Sequence, residues 1–275
     1  MLYGRNLKSV SPYKSVNSTL EKLLKKVRDC LSDEFVGLYN YGSLAIGDFH
    51  LKSSDIDFLV VTKHKLNRQT IEKLRQMHKA FDASSHKWDR RLEGSYLPLS
   101  ELTKHDPNAG PFPCVNEGRF YMSKHGSQWI IHRYVLRKHE TIIYGPSLRD
   151  KIDPVTKNQL RAAQASVLQE KWINRLSNLQ FLKIEKEQSY AVLTMSRALY
   201  VFKHGEVASK VVAANWSLES LDERWHGLVK RALATRGNRR LDNLELTQEF
   251  IRYTIQKANA VEQKLLQNET YVLDK

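Results

Sequence analysis

Two aspartates separated by one residue, Asp55 and Asp57, follow a glycine–serine pair, Gly42-Ser43, and precede an apolar run. Residues i and i+2 of a β-strand face the same side of a sheet, so the two carboxylates are expected to project together. Adjacent carboxylates repel one another unless a cation lies between them. Mg²⁺ bound together with phosphate oxygens satisfies such a pair. The spacing therefore predicts chemistry on a phosphate-bearing substrate.

The residues before the aspartates are suited to hold that phosphate. Gly42 leaves room for a ligand to approach the backbone. If Ser43 begins a short helix, its N–H groups and hydroxyl face an anion. Gly47 allows the loop to turn back, and Ser54 leads into the strand of the aspartates. An Asp-x-Asp alone is more often a turn at the start of a strand. The upstream Gly-Ser pair and the apolar strand that follows favour the functional interpretation.

Local patterns predict the elements that must position these residues. Residues 1–17 lack periodicity and are predicted to form an arm, and the run from Ser18 to Glu21 has the form of a capping box that opens a helix. The next elements are predicted as strands over 35–41, 55–62 and 92–97, a helix capped by Asn67, a loop over 106–113 and a helix over 127–139.

The pattern changes after Pro154 to long helical stretches with few strand signals. We therefore predict an α+β fold with two domains: residues 1–150 form a mixed β-sheet flanked by helices, and residues 151–275 are all-helical. The predicted helices cover 156–184, 188–204, 209–216, 219–235 and 244–269, with Gly205 as a C-cap and Ser209 as an N-cap.

Composition and charge restrict the class of protein. The 275 residues, 41% hydrophobic and 27% charged, are typical of a globular chain that needs no disulfide or metal for stability. No apolar run is long enough to span a membrane, and the N-terminus lacks a signal-peptide core. Cys30 and Cys114 lie far apart in the sequence. We therefore predict a reduced, cytoplasmic protein without a membrane partner. The net charge of +14 favours anionic partners such as nucleotides, although a solvated basic surface explains it equally well.

Gly42-Ser43, Gly47 and the run Ser54-Asp-Ile-Asp57 resemble the motif of polymerase-β-type nucleotidyltransferases. The resemblance implies transfer of a nucleotidyl group from a magnesium-bound nucleoside triphosphate to an acceptor, with release of pyrophosphate. A third carboxylate is then expected on a neighbouring strand. Glu93, on the third predicted strand, is the candidate for a general base or metal ligand.

Segments of the second half resemble the helical domain of the streptomycin/spectinomycin adenylyltransferases. This resemblance extends over roughly residues 33–240. It implies that ATP is the co-substrate, Mg²⁺ the cofactor and a small cationic antibiotic of the aminoglycoside type the acceptor, with ATP and drug in a cleft closed by the helical domain. The segments that carry it are Leu193–Tyr200, Gly205–Lys210, Ala213–Trp216 and Ile142–Pro146.

The resemblance implies three kinds of site residue. Those for the metal and the reaction are Asp55, Asp57 and Glu93. Those for the nucleotide are Gly42, Ser43, Ser54, Lys210 and Arg236, and those for the amines of the acceptor are Glu187 and Glu185.

Two other interpretations stay open. The same transfer could act on a different acceptor, such as another small molecule, a protein hydroxyl or an RNA end. The basic charge favours RNA. However, the chain lacks the aromatic residues interleaved with basic ones that bind single strands, so nucleic acid is the less favoured partner. The chain could also be a non-catalytic nucleotide-binding module of the antitoxin type, although such modules are shorter and lack a helical domain. We expect a monomer.

Overall fold

One mixed β-sheet forms the centre of the N-terminal half in the computed structural model, which describes residues 10–236 and 241–273. The strands are β1 (Phe35–Asn40), β2 (Ile56–Thr62), β3 (Leu92–Pro98), β4 (Phe112–Asn116), β5 (Arg119–Ser123) and β6 (Thr141–Tyr144). Their order across the sheet is β5-β4-β3-β2-β1-β6. β2 and β3 run parallel, and each other neighbouring pair is antiparallel.

Helices cover this sheet because their apolar stripes match its buried positions. They are α1 (Lys14–Leu31), α2 (Arg68–Asp82), which connects the two parallel strands, and α3 (Gln128–Lys138). Val16, Leu20 and Leu23 of α1 are fully buried at helical spacing and join a single core with Phe58 and Val60 of β2. Short 3₁₀ turns lie at Ser32–Glu34, Asp89–Arg91, Leu99–Glu101 and Arg149–Lys151.

The C-terminal half is helical and has its own core, in which Trp172, Trp225 and Phe250 are buried among aliphatic side chains. Its helices are α4 (Lys157–Val167), α5 (Ile173–Ser177), α6 (Leu179–Lys183), α7 (Glu185–His204), α8 (Lys210–Ser220), α9 (His226–Ala234) and α10 (Leu244–Leu273), with a π-helical turn at Leu168–Trp172 and a 3₁₀ turn at Glu223–Trp225.

Contacts between α-carbons divide the chain into two units. The first comprises Ser54–Pro154 and the chain up to Phe49, and the second comprises His50–Ser53 and the chain from Val155 onward. The predicted α+β class, with a mixed sheet followed by helices, is confirmed. None of the described helices has the length and apolarity required to cross a lipid bilayer.

Three predicted helix caps are present. Oδ1 of Asn67 accepts a hydrogen bond from the backbone N–H of Thr70 at the start of α2. Gly205 ends α7 in the left-handed conformation (φ +65°), and Oγ of Ser209 accepts from the N–H of Val212 at the start of α8. Each cap involves residues that are only a few positions apart in the sequence, which is why the sequence reveals all three.

The predicted start of α1 is wrong. The helix begins at Lys14, so Ser18 lies in its second turn and the residues 14–17 assigned to the arm are helical. The buried stripe already begins at Val16, and the side chain of Asn17 donates a hydrogen bond to the carbonyl of Ser11, which fixes the chain before the helix. Burial of the stripe outweighs the local capping pattern.

Other boundaries also differ from the predicted ones. β2 begins one residue after Asp55, the predicted helix 156–184 is broken into several segments, and α7 begins at 185 instead of 188. Strands β4, β5 and β6 were not predicted. β4 and β5 form a hairpin whose turn residues, Glu117 and Gly118, both have positive φ, which is the geometry of a type I′ turn.

Two buried histidines of the first unit are held in the neutral state. Burial lowers the pKa of His78 from 6.5 to about 3. Burial, with smaller effects from His132, Arg133 and His105, lowers the pKa of His125 to about 3 as well. His78 shares a 2.6 Å hydrogen bond with the hydroxyl of Tyr96 and stacks on Phe58.

These histidines predict loss of stability in acid. Between pH 6.5 and about pH 3 the unfolded chain binds protons that the folded chain does not, so the free energy of unfolding falls by about 1.4 kcal/mol per pH unit for each histidine as the pH is lowered. We expect His78→Phe to reduce this slope by about that amount in urea titrations between pH 6 and pH 4.5. Lys79→Gln, at the neighbouring exposed position of α2, changes no group that titrates in this pH range and is the control. An unchanged slope in His78→Phe would contradict the assignment.

Candidate active site

Two carboxylates and one phenol form a row on one face of the sheet. They belong to Asp57 on β2, Glu93 on β3 and Tyr41 directly after β1, and we call them the carboxylate row. Asp57 and Glu93 are direct partners in the parallel register of β2 and β3. Tyr41 directly follows β1, and its backbone N–H donates to the carbonyl of Asp57 at 3.4 Å, which continues the antiparallel register of β1 and β2. Sequence alternation predicts that Asp55 and Asp57 share a face, but the alignment with Glu93 depends on the strand pairing.

Three consecutive residues at the end of β1 and directly after it fix the position of Asp57. The side-chain amide of Asn40, which is fully buried, donates to the carbonyl of Asp57, and so does the N–H of Tyr41. Gly42 has a φ of +73°, and a Cβ on it would lie 2.1 Å from Oδ2 of Asp57. The carboxylate therefore occupies the space that any other residue at position 42 would fill.

The loop from Gly42 to Gly47 consists of turns, so the condition of a short helix at Ser43 is not met. The N–H of Ile46 donates to the carbonyl of Gly42, and the N–H of Asp48 donates to that of Ser43 at 2.9 Å, so these backbone hydrogen bonds close the loop. Ser43 is half-buried within this loop. Any anion site here would use loop groups instead of a helix end.

Ser54 and Asp55 connect this loop to β2. Ser54 is buried, and its carbonyl accepts a 3.1 Å hydrogen bond from the guanidinium of Arg91, which directly precedes β3. Asp55 is half-buried and lies two residues before Asp57. Arg91 thus fixes the backbone at the point where the aspartates begin.

Aromatic side chains surround the Tyr41 end of the carboxylate row. The Tyr41 ring lies 4.7 Å from that of His132 and 6.0 Å from that of Trp129, both on α3. Burial raises the pKa of Tyr41 well above 10, and the charges of Asp57 and Glu93 raise it further. The phenol therefore stays protonated. Sequence reasoning missed Tyr41, because only the pairing of β1 with β2 reveals its place in the row.

The carboxylates fit a magnesium ion that shares its coordination with a phosphate. Within residues 10–236 and 241–273, no three His, Cys, Asp or Glu side chains form a group that could hold a metal. Mg²⁺ is commonly held by one or two carboxylates together with substrate phosphates, and the row supplies paired oxygen ligands of that kind. The proposed ligand set of Asp55, Asp57 and Glu93 stays a prediction.

Three residues predicted in the second half converge on the first turns of α7. Lys210, the first residue of α8, has its ammonium 5.3 Å from the centre of the Tyr190 ring. Glu187 lies one helical turn before Tyr190. Arg236 follows Thr235, whose hydroxyl shares a 2.6 Å hydrogen bond with that of Ser189.

Glu185, the other predicted acceptor residue, begins α7, but its side chain lies outside the described part of the structure. Sequence reasoning also missed Tyr190, whose ring stacks on Trp172 at 5.9 Å while remaining 39% exposed. Its proximity to Lys210 arises from the packing of α8 on α7, so no local sequence pattern could have identified it.

Comparison with known proteins agrees with the architecture of the first unit. A family model described as a nucleotidyltransferase domain matches residues 20–101, which include the whole carboxylate row. The match supports an enzyme with a nucleotidyltransferase domain. A second model, described as the C-terminal domain of aminoglycoside adenylyltransferase, matches residues 152–271. Together the two matches, over residues 20–101 and 152–271, support an aminoglycoside adenylyltransferase of the nucleotidyltransferase superfamily.

Individual relatives are distant. Curated proteins of Staphylococcus aureus strains Mu50 and N315, both named spectinomycin 9-adenylyltransferase, are 24% identical over 243 residues, which covers 77% of this chain and 88% of theirs. The crystal structure of spectinomycin adenyltransferase AAD(9) from Enterococcus faecialis with ATP and spectinomycin has a TM-score of 0.72 at 20% identity, covering 88% of this chain and 99% of that one. That likeness establishes a shared fold.

The contact between Gly42 and Asp57 yields a prediction with an internal control. Gly42 and Gly47 both have positive φ (+73° and +74°), so alanine at either position costs about 1–2 kcal/mol of backbone strain. A Cβ at position 47 has no atom within 4 Å, whereas one at position 42 displaces the Asp57 carboxylate. We expect Gly42→Ala to lower kcat/KM for nucleotidyl transfer at least about a hundredfold, and Gly47→Ala to change it little.

Both variants should lose thermal stability, measured by circular dichroism, because both place a Cβ at positive φ, and Gly42→Ala should lose more because its Cβ overlaps Asp57. Equal activity losses in the two variants would contradict a specific role for the space at position 42.

Proposed function

We propose that the chain transfers AMP from ATP to a hydroxyl of an aminoglycoside-type antibiotic of the spectinomycin/streptomycin class and releases pyrophosphate. The observation that carries the proposal is the carboxylate row, in which Asp57 and Glu93 occupy paired register positions next to a loop that begins with Gly42. The match to the adenylyltransferase family model and the names of the Staphylococcus relatives support the choice of AMP and of this acceptor class.

In this proposal Asp55 and Asp57 bind Mg²⁺ together with the triphosphate. The bound ion would reduce the negative charge on the phosphates and on the leaving pyrophosphate. Gly42, Ser43 and Ser54 are the proposed nucleotide contacts of the first unit. Their backbone is fixed by the turns of the loop and by the hydrogen bond from Arg91, so little reorganisation is required when the nucleotide binds.

Glu93 is the proposed general base. The acceptor oxygen attacks the α-phosphorus, the bond from the α-phosphorus to the bridging oxygen breaks, pyrophosphate leaves, and the hydroxyl proton passes to the Glu93 carboxylate. Its place beside Asp57 allows it to act as a metal ligand as well. Tyr41, a neutral phenol at the end of the row, can donate a hydrogen bond without adding charge.

The second unit is proposed to supply charges of both signs. Lys210 and Arg236 are assigned to the nucleotide phosphates, for which a lysine is a suitable point charge. Glu187 and Glu185 are assigned to the acceptor, whose amines carry positive charge. We retain residues 1–150 as the catalytic domain and residues 151–275 as the helical domain in this proposal.

The first test is pyrophosphate release from Mg-ATP with a panel of spectinomycin, streptomycin and other aminoglycosides. We expect release with at least one drug, and a loss of at least about a thousandfold in kcat for Glu93→Gln because a neutral amide cannot accept the proton. Glu117→Gln, at an exposed turn of the same sheet, is the matched control and should retain activity.

Release that persists in Glu93→Gln would contradict the assignment of the base. If no drug supports release while Mg-ATP still raises the melting temperature, the drug acceptor is rejected and the nucleotide site retained. RNA and protein acceptors are then the next candidates, since the net charge of +14 favours an anionic partner.

Lys210 gives a separate prediction. Lys210→Met should raise KM for ATP by about tenfold with a smaller effect on KM for the acceptor, because it removes one charge from the phosphate site. Lys203→Met, at an exposed position in the last turn of α7, is the control. An unchanged KM for ATP in Lys210→Met would remove Lys210 from the nucleotide site.

A further inference from the structure

A groove of about 1060 Å³ runs between α1 and α2, and its walls come from these two helices alone. Its apolar floor includes Met77 and Phe81, which are 9% and 2% exposed, together with Cys30 and the small side chain of Ala80. The volume of this concave, mainly apolar surface is slightly above the range of small-molecule sites, about 300–1,000 Å³. None of its residues belongs to the carboxylate row or to its supporting loop.

Cations line the rim of this groove. Lys26 lies on the α1 side, and Arg68 and Lys73 lie on the α2 side. In the part of the chain that the structure describes, these three side chains form no ion pair. Lys22 also lines the groove, but it is bound to the buried carboxylate of Asp89.

Two acids also line the groove and reduce its positive charge. Glu72 is occupied by hydrogen bonds from Arg75 and Gln76 on its own helix, at 3.2 and 2.7 Å. Asp29 remains as the opposing charge against the three unpaired cations. The rim therefore carries an excess of positive charge over an apolar floor.

The surroundings of Cys30 place these charges at one end of the groove. Lys26 lies one helical turn before Cys30 on α1, and Lys73 of α2 lines the same groove. Burial and the charge of Asp29 raise the pKa of the Cys30 thiol, whereas Lys73 and Lys26 act in the opposite direction. At the other end the Lys22 ammonium lies 4.7 Å from the centre of the Phe81 ring. The groove thus has a cationic end at Lys26 and Lys73 and an aromatic end at Phe81.

We propose that this groove binds a single-chain anionic amphiphile, a fatty-acid carboxylate, with its headgroup at Lys26 and Lys73 and its hydrocarbon chain along Met77, Ala80 and Phe81. The argument rests on charge complementarity at the rim and on shape. A concave groove admits one slender chain, whereas a membrane surface is flat. The aliphatic stems of the lysines extend the apolar surface toward the headgroup.

The ligand class is tested with dodecanoate as the probe, below its critical micelle concentration, on the full-length chain. Dodecyltrimethylammonium has the same chain with the opposite charge, and butyrate has the same headgroup with a short chain. Binding is measured by calorimetry and by the rate at which a maleimide modifies Cys30, with Cys30→Ser reporting any reaction at the buried Cys114. We expect one dodecanoate per chain, slower modification of Cys30, and at least about tenfold weaker binding of both comparison compounds.

Charge reversal locates the headgroup. Lys26→Glu/Lys73→Glu should weaken dodecanoate binding at least about tenfold. The matched control is Lys25→Glu/Lys79→Glu, which makes the same change of charge on the same two helices at exposed positions outside the groove. We expect this control to change the affinity by less than about threefold. Circular dichroism and nucleotidyl transfer verify that each variant is folded.

Filling the groove provides an independent variant. Ala80→Trp places a large side chain on the floor and should abolish dodecanoate binding with the rim charges intact. The proposal is overturned if dodecanoate does not bind, if the two charge-reversal pairs lose affinity equally, or if the cationic amphiphile binds as well. It is also overturned if the chain binds vesicles of anionic phospholipid but not monomeric dodecanoate.

Discussion

The parallel pairing of β2 with β3 holds two carboxylates, Asp57 and Glu93, side by side. Neighbouring strands lie about 5 Å apart, and two unit charges at that distance repel by about 3 kcal/mol at the effective dielectric constant typical near a protein surface. The apolar residues of the same strands, fully buried from Phe58 to Val61, and the continuous register of the pair oppose this repulsion. A cation bound between the carboxylates would remove this repulsion, so the folded sheet favours cation binding at this position.

The residues at the end of β1 control where that charge lies. Asn40 and Tyr41 bind the backbone of Asp57 through its carbonyl, and Gly42 provides the space for its side chain. The backbone of Asp57 is held from one side by β1 and from the other by β3, so neither rotation of the strand nor a shift of register can relieve the repulsion between the carboxylates. Precise placement of charge in this way is what an enzyme for phosphate chemistry requires.

Features that depend on neighbouring residues could be predicted from the sequence, and features that depend on pairing could not. The caps at Asn67 and Ser209 and the shared face of the two aspartates are local, and the first two strands were apparent from their apolar runs. The row of Tyr41, Asp57 and Glu93 depends on the sheet register, which no local pattern encodes. The predicted loop over 106–113 extends into the start of β4 because its Pro and Gly residues are typical of turns, and the rest of the β4–β5 hairpin had no prediction. The resemblance to a known motif supplied Glu93, for which alternation with apolar neighbours alone is weak evidence.

The carboxylate row lies within a single uninterrupted stretch, from the start of β1 at Phe35 to the end of β3 at Pro98. The rest of the sheet follows Pro98, and the first unit ends at Pro154, so a recombination event in the gene downstream of Pro154 would leave all three side chains and the whole sheet intact. The chain beyond Pro154 could then be exchanged for another helical segment without rebuilding the phosphate chemistry. Diversification of acceptors in such a protein is therefore a question of gene fusion as much as of point mutation.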